Sequence, residues 1–164
     1  MKHISLIALF AAIALLPELV MAASATGTGD AKAKIVTPVT ATKTQDLNFG
    51  SMLGEANTVT VSHAGARTAT TSSALVNDGN TPTAGRFTVT GPNNQPITVS
   101  LPANATVTSS TNSMTISNFT SDKSGSQSLD GTGNLTINIG ADLAVTANQP
   151  EGDYTGTYQI NITY

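Results

Sequence analysis

The chain has 164 residues, a formal net charge of −3, 10% charged residues and no cysteine. A weakly acidic, thinly charged chain lacks the basic surface that binding to nucleic acid or to an anionic membrane requires. The absence of cysteine excludes disulfides, thiolate metal sites and cysteine nucleophiles, so we expect the core and partner molecules to supply the stability.

The N-terminal residues match the pattern of a secretory signal. Lys2 precedes an apolar run at 4–16, and the segment 20–22 ends on a small residue, which is the order of features in such a signal. Pro17 and Glu18 interrupt the apolar run well short of the roughly 20 residues that a membrane span needs. This interruption disfavours the alternative, an uncleaved membrane anchor.

We expect cleavage after Ala22, or one residue later, and we divide the chain into three parts. Residues 1–22 are the signal peptide, 23–30 a flexible N-terminal segment, and 31–164 a single β-sandwich domain. Removing 22 of the 164 residues leaves 142, which is one domain by length and can bury about 68 to 70% of the unfolded chain's surface. We expect an exported protein that crosses the periplasm to the cell surface or the medium, with no membrane span after signal removal.

The start of the domain alternates small or branched residues with polar ones. Ala31, Ala33, Ile35 and Val39 occupy alternate positions, and Pro38 interrupts the set. Because proline cannot donate a hydrogen bond to a β-ladder, this segment is predicted to be an edge strand, or a strand whose N–H at that position faces away from any partner. It is also a plausible donor of a strand to another molecule.

The rest of the domain shows apolar residues with a period of two and no segment with helical spacing. Threonine occupies 27 positions and supplies a polar face that favours β-structure. The predicted strands are centred on Val59 and Val61; Phe87 and Val89; Ile97, Val99 and Leu101; Met114 and Ile116, with a bulge before Phe119; Leu135, Ile137 and Ile139; and Leu143 and Val145. Short strands at such spacing predict an all-β antiparallel sandwich or barrel.

Turn residues separate these strands. Gly, Pro, Asn and Asp cluster at 77–80, 91–94, 130–133 and 148–152, where they provide positive φ, a fixed φ or hydrogen bonds to their own backbone. The polar segment 121–133 is predicted to be a flexible hairpin loop. Leu47 and Phe49, which lie before the first of these strands, are predicted to be core residues.

Residues for catalysis or metal binding are scarce. After the signal the chain has one histidine, His63, which is predicted to be a surface or turn residue. Asp78, Asp130, Glu151 and Asp153 all lie in turn contexts that favour Asp or a neighbouring Gly for backbone reasons. We therefore expect no catalytic residues, no metal and no cofactor, and do not expect an enzyme.

The chain closes on an alternating segment. Tyr158, Ile160, Ile162 and Tyr164 lie on one predicted strand face, with Tyr154 just before them. A sandwich that ends in this way is complete, with that strand buried centrally, or it is one strand short. In the second case it exposes a groove that an extended segment of another molecule can fill.

Three segments carry a family resemblance: TKTQDLNFGSM, GRFTVTGPNNQPITVSLP and GADLAVTANQPEGDYTGTYQINITY. The chain resembles an uncharacterised family of small exported proteins of Gram-negative bacteria, which is similar in plan to spore coat U and chaperone-usher pilin domains. The resemblance covers nearly all of the chain after the signal. Its most specific part is the closing alternation of glycine and tyrosine, formed by Gly152, Tyr154, Gly156, Tyr158 and Tyr164.

The resemblance implies an immunoglobulin-like β-sandwich whose terminal strand lies beside a groove. A periplasmic chaperone would pair with that strand until the N-terminal strand of a neighbouring subunit replaces it, and an outer-membrane pore would export the product. Two features depart from the family pattern. Many pilins hold a disulfide, which this chain lacks, and the donor-like segment contains Pro38.

Two functions follow as hypotheses. In the first, the protein is a structural subunit that assembles with copies of itself or related subunits into a surface fibre or layer by strand donation. In the second, it is a self-complete surface adhesin or binding module whose loops carry specificity.

Overall fold

The computed structural model describes residues 23–164, so the expected signal at 1–22 lies outside the described residues. Residues 35–164 form one compact unit. Residues 23–34 fall in a separate unit, contain no helix or strand and are exposed. Between residues 23 and 164 there is no helix with the length and apolar character needed to cross a membrane.

The compact unit is all-β, as the alternation predicted, and its only helical element is a single 3₁₀ turn at Ser72–Ala74. All its paired strands run antiparallel. The strands are β1 (Thr40–Gln45), β2 (Ser51–Met52), β3 (Asn57–Val61), β4 (Arg67–Ala69), β5 (Leu75–Val76), β6 (Gly85–Thr90), β7 (Pro96–Ser100), β8 (Asn104–Ser109), β9 (Asn112–Ser121), β10 (Gly125–Ser128), β11 (Asn134–Val145), β12 (Thr155–Thr157) and β13 (Asn161–Thr163).

These strands form a large sheet and a small sheet that pack as a β-sandwich. The large sheet has the order β1-β6-β11-β9-β8-β12, and β3 and β4 extend it from β11. The small sheet has the order β10-β7-β13. A separate two-stranded ribbon joins β2 and β5.

Strand β11 is the central strand of the large sheet and pairs with β3, β6 and β9. Its first half pairs with β6 and its second half with β3, and the two halves meet at Gly140. A Cβ atom there would overlap the backbone of Val61 and His63, so glycine is required where the two partner strands meet. The sequence predicted two strands here, at 135–139 and 143–145, and this prediction was wrong because the alternation continues through Gly140 without changing face.

The predicted bulge in β9 is confirmed. Met114 and Ile116 face inward, and so does Phe119, because the register with β11 shifts by one residue between them and Asn118 has a φ of 48°. The Asn118 amide and the Thr60 hydroxyl both donate to the Asp142 carboxylate, at 2.9 and 2.6 Å. Because the bulge adds one residue to β9, Phe119 faces the same side of the sheet as Met114 and Ile116.

The buried side chains form two clusters along β11. The first core contains Phe49, Val59, Val61, Met114, Ile116, Ala141, Leu143 and Val145. The second core contains Val89, Ile97, Val99, Leu129, Ile137 and Ile139. The prediction of Phe49 as a core residue is confirmed, and Leu47 packs against the first core while remaining partly exposed.

Two local predictions were wrong, and four further strands were not predicted. Residues 31–39 form no strand, since β1 begins only at Thr40. The supposed loop at 121–133 contains β10 and the side chain of Leu129, which is 2% exposed. Strands β2, β4, β5 and β8 were not predicted. The turns at 77–80, 91–94, 130–133 and 148–152 are confirmed, each with at least one residue at positive φ.

Candidate functional site

The terminal segment is divided between the two sheets. Thr155–Thr157 pairs with β8 in the large sheet, and Asn161–Thr163 pairs with β7 in the small sheet. The predicted single strand is therefore two short ones. Gly156 is needed in the first, since a Cβ there would overlap the Thr106 carbonyl of β8. The predicted alternation is confirmed for Tyr158, Ile160 and Ile162, which pack against the second core, whereas Tyr164 is 60% exposed.

Tyr154 holds the start of the terminal segment, one residue before β12. Its ring packs against the first core, and its hydroxyl donates to the carbonyl of Pro150, four residues upstream, at 2.8 Å. The same oxygen accepts a hydrogen bond from the Gln149 amide at 2.8 Å. A tyrosine that bonds back to upstream backbone at the start of a late strand is a tyrosine corner, a feature of immunoglobulin-type sandwiches.

Tyr158 lies between aromatic side chains of the large sheet. Its ring centroid is 5.8 Å from that of Phe87, edge to face, and 5.2 Å from that of Phe119. Its hydroxyl touches Gly85, where a Cβ atom would overlap it, and has no hydrogen-bond partner among the described residues. Desolvation by burial, followed by the charge of Asp46, raises the pKa of Tyr158 to about 12.

The inner face of β1 is uncovered. Ala41 lies directly opposite Val89 in the β1–β6 register, and Lys43 lies opposite Phe87. Residues opposite each other in an antiparallel pair project to the same face, so Ala41 and Lys43 face the side on which the second core lies. Val89 is fully buried, yet Ala41 and Lys43 are exposed. No strand of the small sheet therefore lies over β1 in the described part of the chain.

The small sheet has a free edge at the same core as this uncovered face. Within residues 23–164, β13 pairs only with β7. Val39, one residue before β1, packs against the second core, and so do Ile160 and Ile162 of the terminal segment. We call the uncovered face of β1 with the outer edge of β13 the open edge.

The residues predicted to donate a strand lie mostly in solvent. Ala31 and Ala33 are exposed, and Ile35 is 98% exposed. Val39 differs, because it packs against the second core next to Gly91. The structure thus brings Val39 together with Ile160 and Ile162 at the second core.

Sequence reasoning missed Ala41 and Lys43 of the open edge, and it missed Gly85, against which the Tyr158 hydroxyl packs. Nothing in the local sequence marks them, because the inward direction of Ala41 and Lys43 follows from the pairing with β6.

His63 and Asp130, two other polar residues considered from the sequence, lie at turns. His63 is exposed in the turn after β3. The Asp130 carboxylate accepts hydrogen bonds from the backbone of Asn134 and from the hydroxyl and backbone of Thr132, and these bonds, that from Asn134 foremost, lower the pKa of Asp130. Among residues 23–164, no three His, Asp or Glu side chains are grouped to hold a metal ion.

Comparison with known proteins assigns the chain to a family. Neither the curated proteins nor the solved structures contain a sequence or fold that matches this chain. A family model described as a domain of unknown function, DUF4402, matches residues 39–164. That match begins at Val39, one residue before β1, and spans every strand of the sandwich. The chain therefore belongs to the DUF4402 family.

Proposed function

We propose that this protein is an exported, non-enzymatic subunit of pilin type, which assembles into a surface fibre or layer by β-strand donation. Its domain would be an immunoglobulin-like sandwich that is one strand short. The observation that carries the proposal is the exposure of Ala41, directly opposite the fully buried Val89. A complete sandwich would cover both residues with the same opposing strand.

The N-terminal segment supplies a suitable strand. It has no strand partner in the described part of the chain, and it carries the most exposed large apolar side chain, Ile35 at 98%, with Val36 at 59%. Burial of these side chains is favourable, and an extended segment that adds to a sheet edge can bury them. Strand addition would also pair the outer edge of β13, which would otherwise be an aggregation hazard.

Two further features support an immunoglobulin-like plan. The corner formed by Tyr154 and Pro150 is of the type found in such sandwiches. The closing segment, with Gly156 and Tyr158, resembles the end of spore coat U and pilin domains. By the same resemblance, a periplasmic chaperone and an outer-membrane pore are the proposed partners in transit.

Thiol cross-linking tests the proposal directly, since the chain has no cysteine of its own. One population would carry Ile35→Cys and a second Ala41→Cys, so that any mixed product of a short bis-maleimide joins two molecules. The matched control is Thr42→Cys, which lies on the opposite face of the same exposed strand. We expect a mixed dimer with Ala41→Cys and little with Thr42→Cys, because facing sheets pack about 10 Å apart, a distance that a short cross-linker spans, whereas Thr42 points away from the other sheet.

Electron microscopy and gel filtration of the exported protein complete this test. Ile35→Asp should prevent fibres, because a carboxylate would have to be buried at the open edge. Fibres of normal length from that variant, or equal trapping at positions 41 and 42, would contradict strand donation.

One observation favours the second candidate, a self-complete binding module. The small sheet carries an open cavity of about 250 Å³ next to the exposed ring of Tyr164. The side chains that line it are uncharged and belong to Pro96, Ile97, Thr98, Ser126, Gln127, Thr163 and Tyr164. Binding of a neutral glycan by the monomer, lost in Tyr164→Ala, would support this function over assembly.

A further inference from the structure

We propose that Lys43 determines which strand the open edge accepts. It admits a strand with a small or polar side chain opposite Lys43 and rejects one with a large apolar side chain there. This inference rests on the proposed function. It adds a register in which Ile35 of a second copy faces Ala41 across the sandwich, and in this subsection a donor residue opposite a residue of β1 faces it in this way.

Lys43 is unusual because it is a charge on the inner face of a sandwich. It lies opposite Phe87, whose ring packs in the second core, and 58% of its own side chain is exposed. Its ammonium group forms an ion pair with Asp46 three residues away, an exposed contact that holds the side chain only weakly. Inward-pointing charges are one means by which sheet edges avoid pairing with the wrong strand.

The N-terminal segment has a pattern that fits this charge. Side chains two residues apart lie on the same strand face. In the N-terminal segment, Ala33 and Thr37 therefore share a face with Ile35. On β1, Lys43 shares a face with Ala41. If Ile35 lies opposite Ala41, Lys43 faces Thr37 when the strands run parallel and Ala33 when they run antiparallel. In either direction the residue opposite Lys43 is small or carries a hydroxyl.

The physical basis is the cost of removing an ammonium group from water. Opposite a small residue, the long lysine stem can turn and keep its charge in solvent at the sheet edge. Opposite a large branched residue that path is filled, and the charge would be buried without a partner. Ala41 has no such restriction and leaves space for one large side chain, which Ile35 can supply.

Peptide binding tests the inference on the full exported chain carrying Ile35→Asp, whose own segment cannot donate. The probes are a peptide of residues 29–39 and the same peptide with Ala33→Val and Thr37→Val. We expect the chain with Lys43 to bind the natural peptide at least about tenfold more tightly, because the substituted one buries the charge. In a Lys43→Leu chain this preference should disappear or reverse, and in the outer-face control Thr42→Leu it should remain.

The outcomes separate the two proposals. An equal preference for the natural peptide in the Lys43 and Lys43→Leu chains would overturn the role of Lys43 and leave strand donation standing. Binding of neither peptide to any chain would overturn strand donation and this inference with it. A Lys43→Gln chain, which loses the charge and keeps a polar side chain, should show a preference between those of the other two.

Discussion

The two cores along β11 differ in how completely they are enclosed. In the first core, Val59 and Val61 of β3 are fully buried, and the Tyr154 hydroxyl has two hydrogen-bond partners. At the second core, strand β1, in which Ala41 pairs with Val89, is exposed on both faces. The Tyr158 hydroxyl of this core has no hydrogen-bond partner in the described residues. The first core is therefore enclosed, whereas the second core has an uncovered side at β1.

Truncating one apolar side chain in each region should give the largest contrast. Leu143→Ala removes a side chain that is 3% exposed in the first core, and we expect a loss of about 3 kcal/mol in the free energy of unfolding, from lost burial and the cavity left behind. Ile162→Ala acts on a half-buried side chain beside the open edge, and we expect about 1 kcal/mol. Urea unfolding of both variants measures this difference, and equal losses would mean that both regions are equally enclosed.

The packing of Tyr158 against Gly85 can be tested by a double-mutant cycle. Gly85→Ala should destabilise the protein by about 2 kcal/mol, because its methyl group overlaps the Tyr158 hydroxyl. In a Tyr158→Phe background the same substitution should cost about 1 kcal/mol less, since the overlapping oxygen is absent. Additive losses in the cycle would show that the terminal segment does not hold Tyr158 against β6.

Removing the two tyrosine hydroxyls separately should give opposite results. Tyr154→Phe deletes a group bonded to Pro150 and Gln149, and we expect a loss of about 1 to 2 kcal/mol. Tyr158→Phe deletes a buried hydroxyl without a partner, so stability should be unchanged or higher by up to about 1 kcal/mol. The two variants differ from the natural chain by one oxygen each, and thermal unfolding compares them directly. A loss from Tyr158→Phe as large as that from Tyr154→Phe would reveal a partner for the second hydroxyl.

Much of the fold could be predicted from local alternation, and the failures have physical causes. Strand β10 has the sequence GSQS, without an apolar residue, and exists because it pairs with β7. Gly140 looks like a strand break but is a point of close backbone approach in β11. For the candidate site, the alternation of Tyr158, Ile160 and Ile162 indicated the inward face correctly. The position of Lys43 could not be predicted, because its direction depends on its register with Phe87.

Tyr158 of the second core should also make the stability of the protein depend on pH. Burial raises the pKa of Tyr158 to about 12, against about 10 for tyrosine in an unfolded chain. Between these values the unfolded chain has lost this proton while the folded chain retains it, so the unfolded state binds fewer protons and stability falls as pH rises. The contribution is complete below pH 10 and is lost as the pH rises through 12.

Tyr158→Phe is the matched control for this effect, because it differs from the natural chain only in that hydroxyl and keeps every other titratable group. We expect the urea midpoint of the natural chain to fall more steeply above pH 10 than that of Tyr158→Phe. Parallel curves would mean that solvent reaches the Tyr158 hydroxyl in the folded protein. If assembly covers the open edge, the tyrosinate absorbance of Tyr158 should titrate at still higher pH in fibres than in the monomer, since added burial disfavours the charged form further.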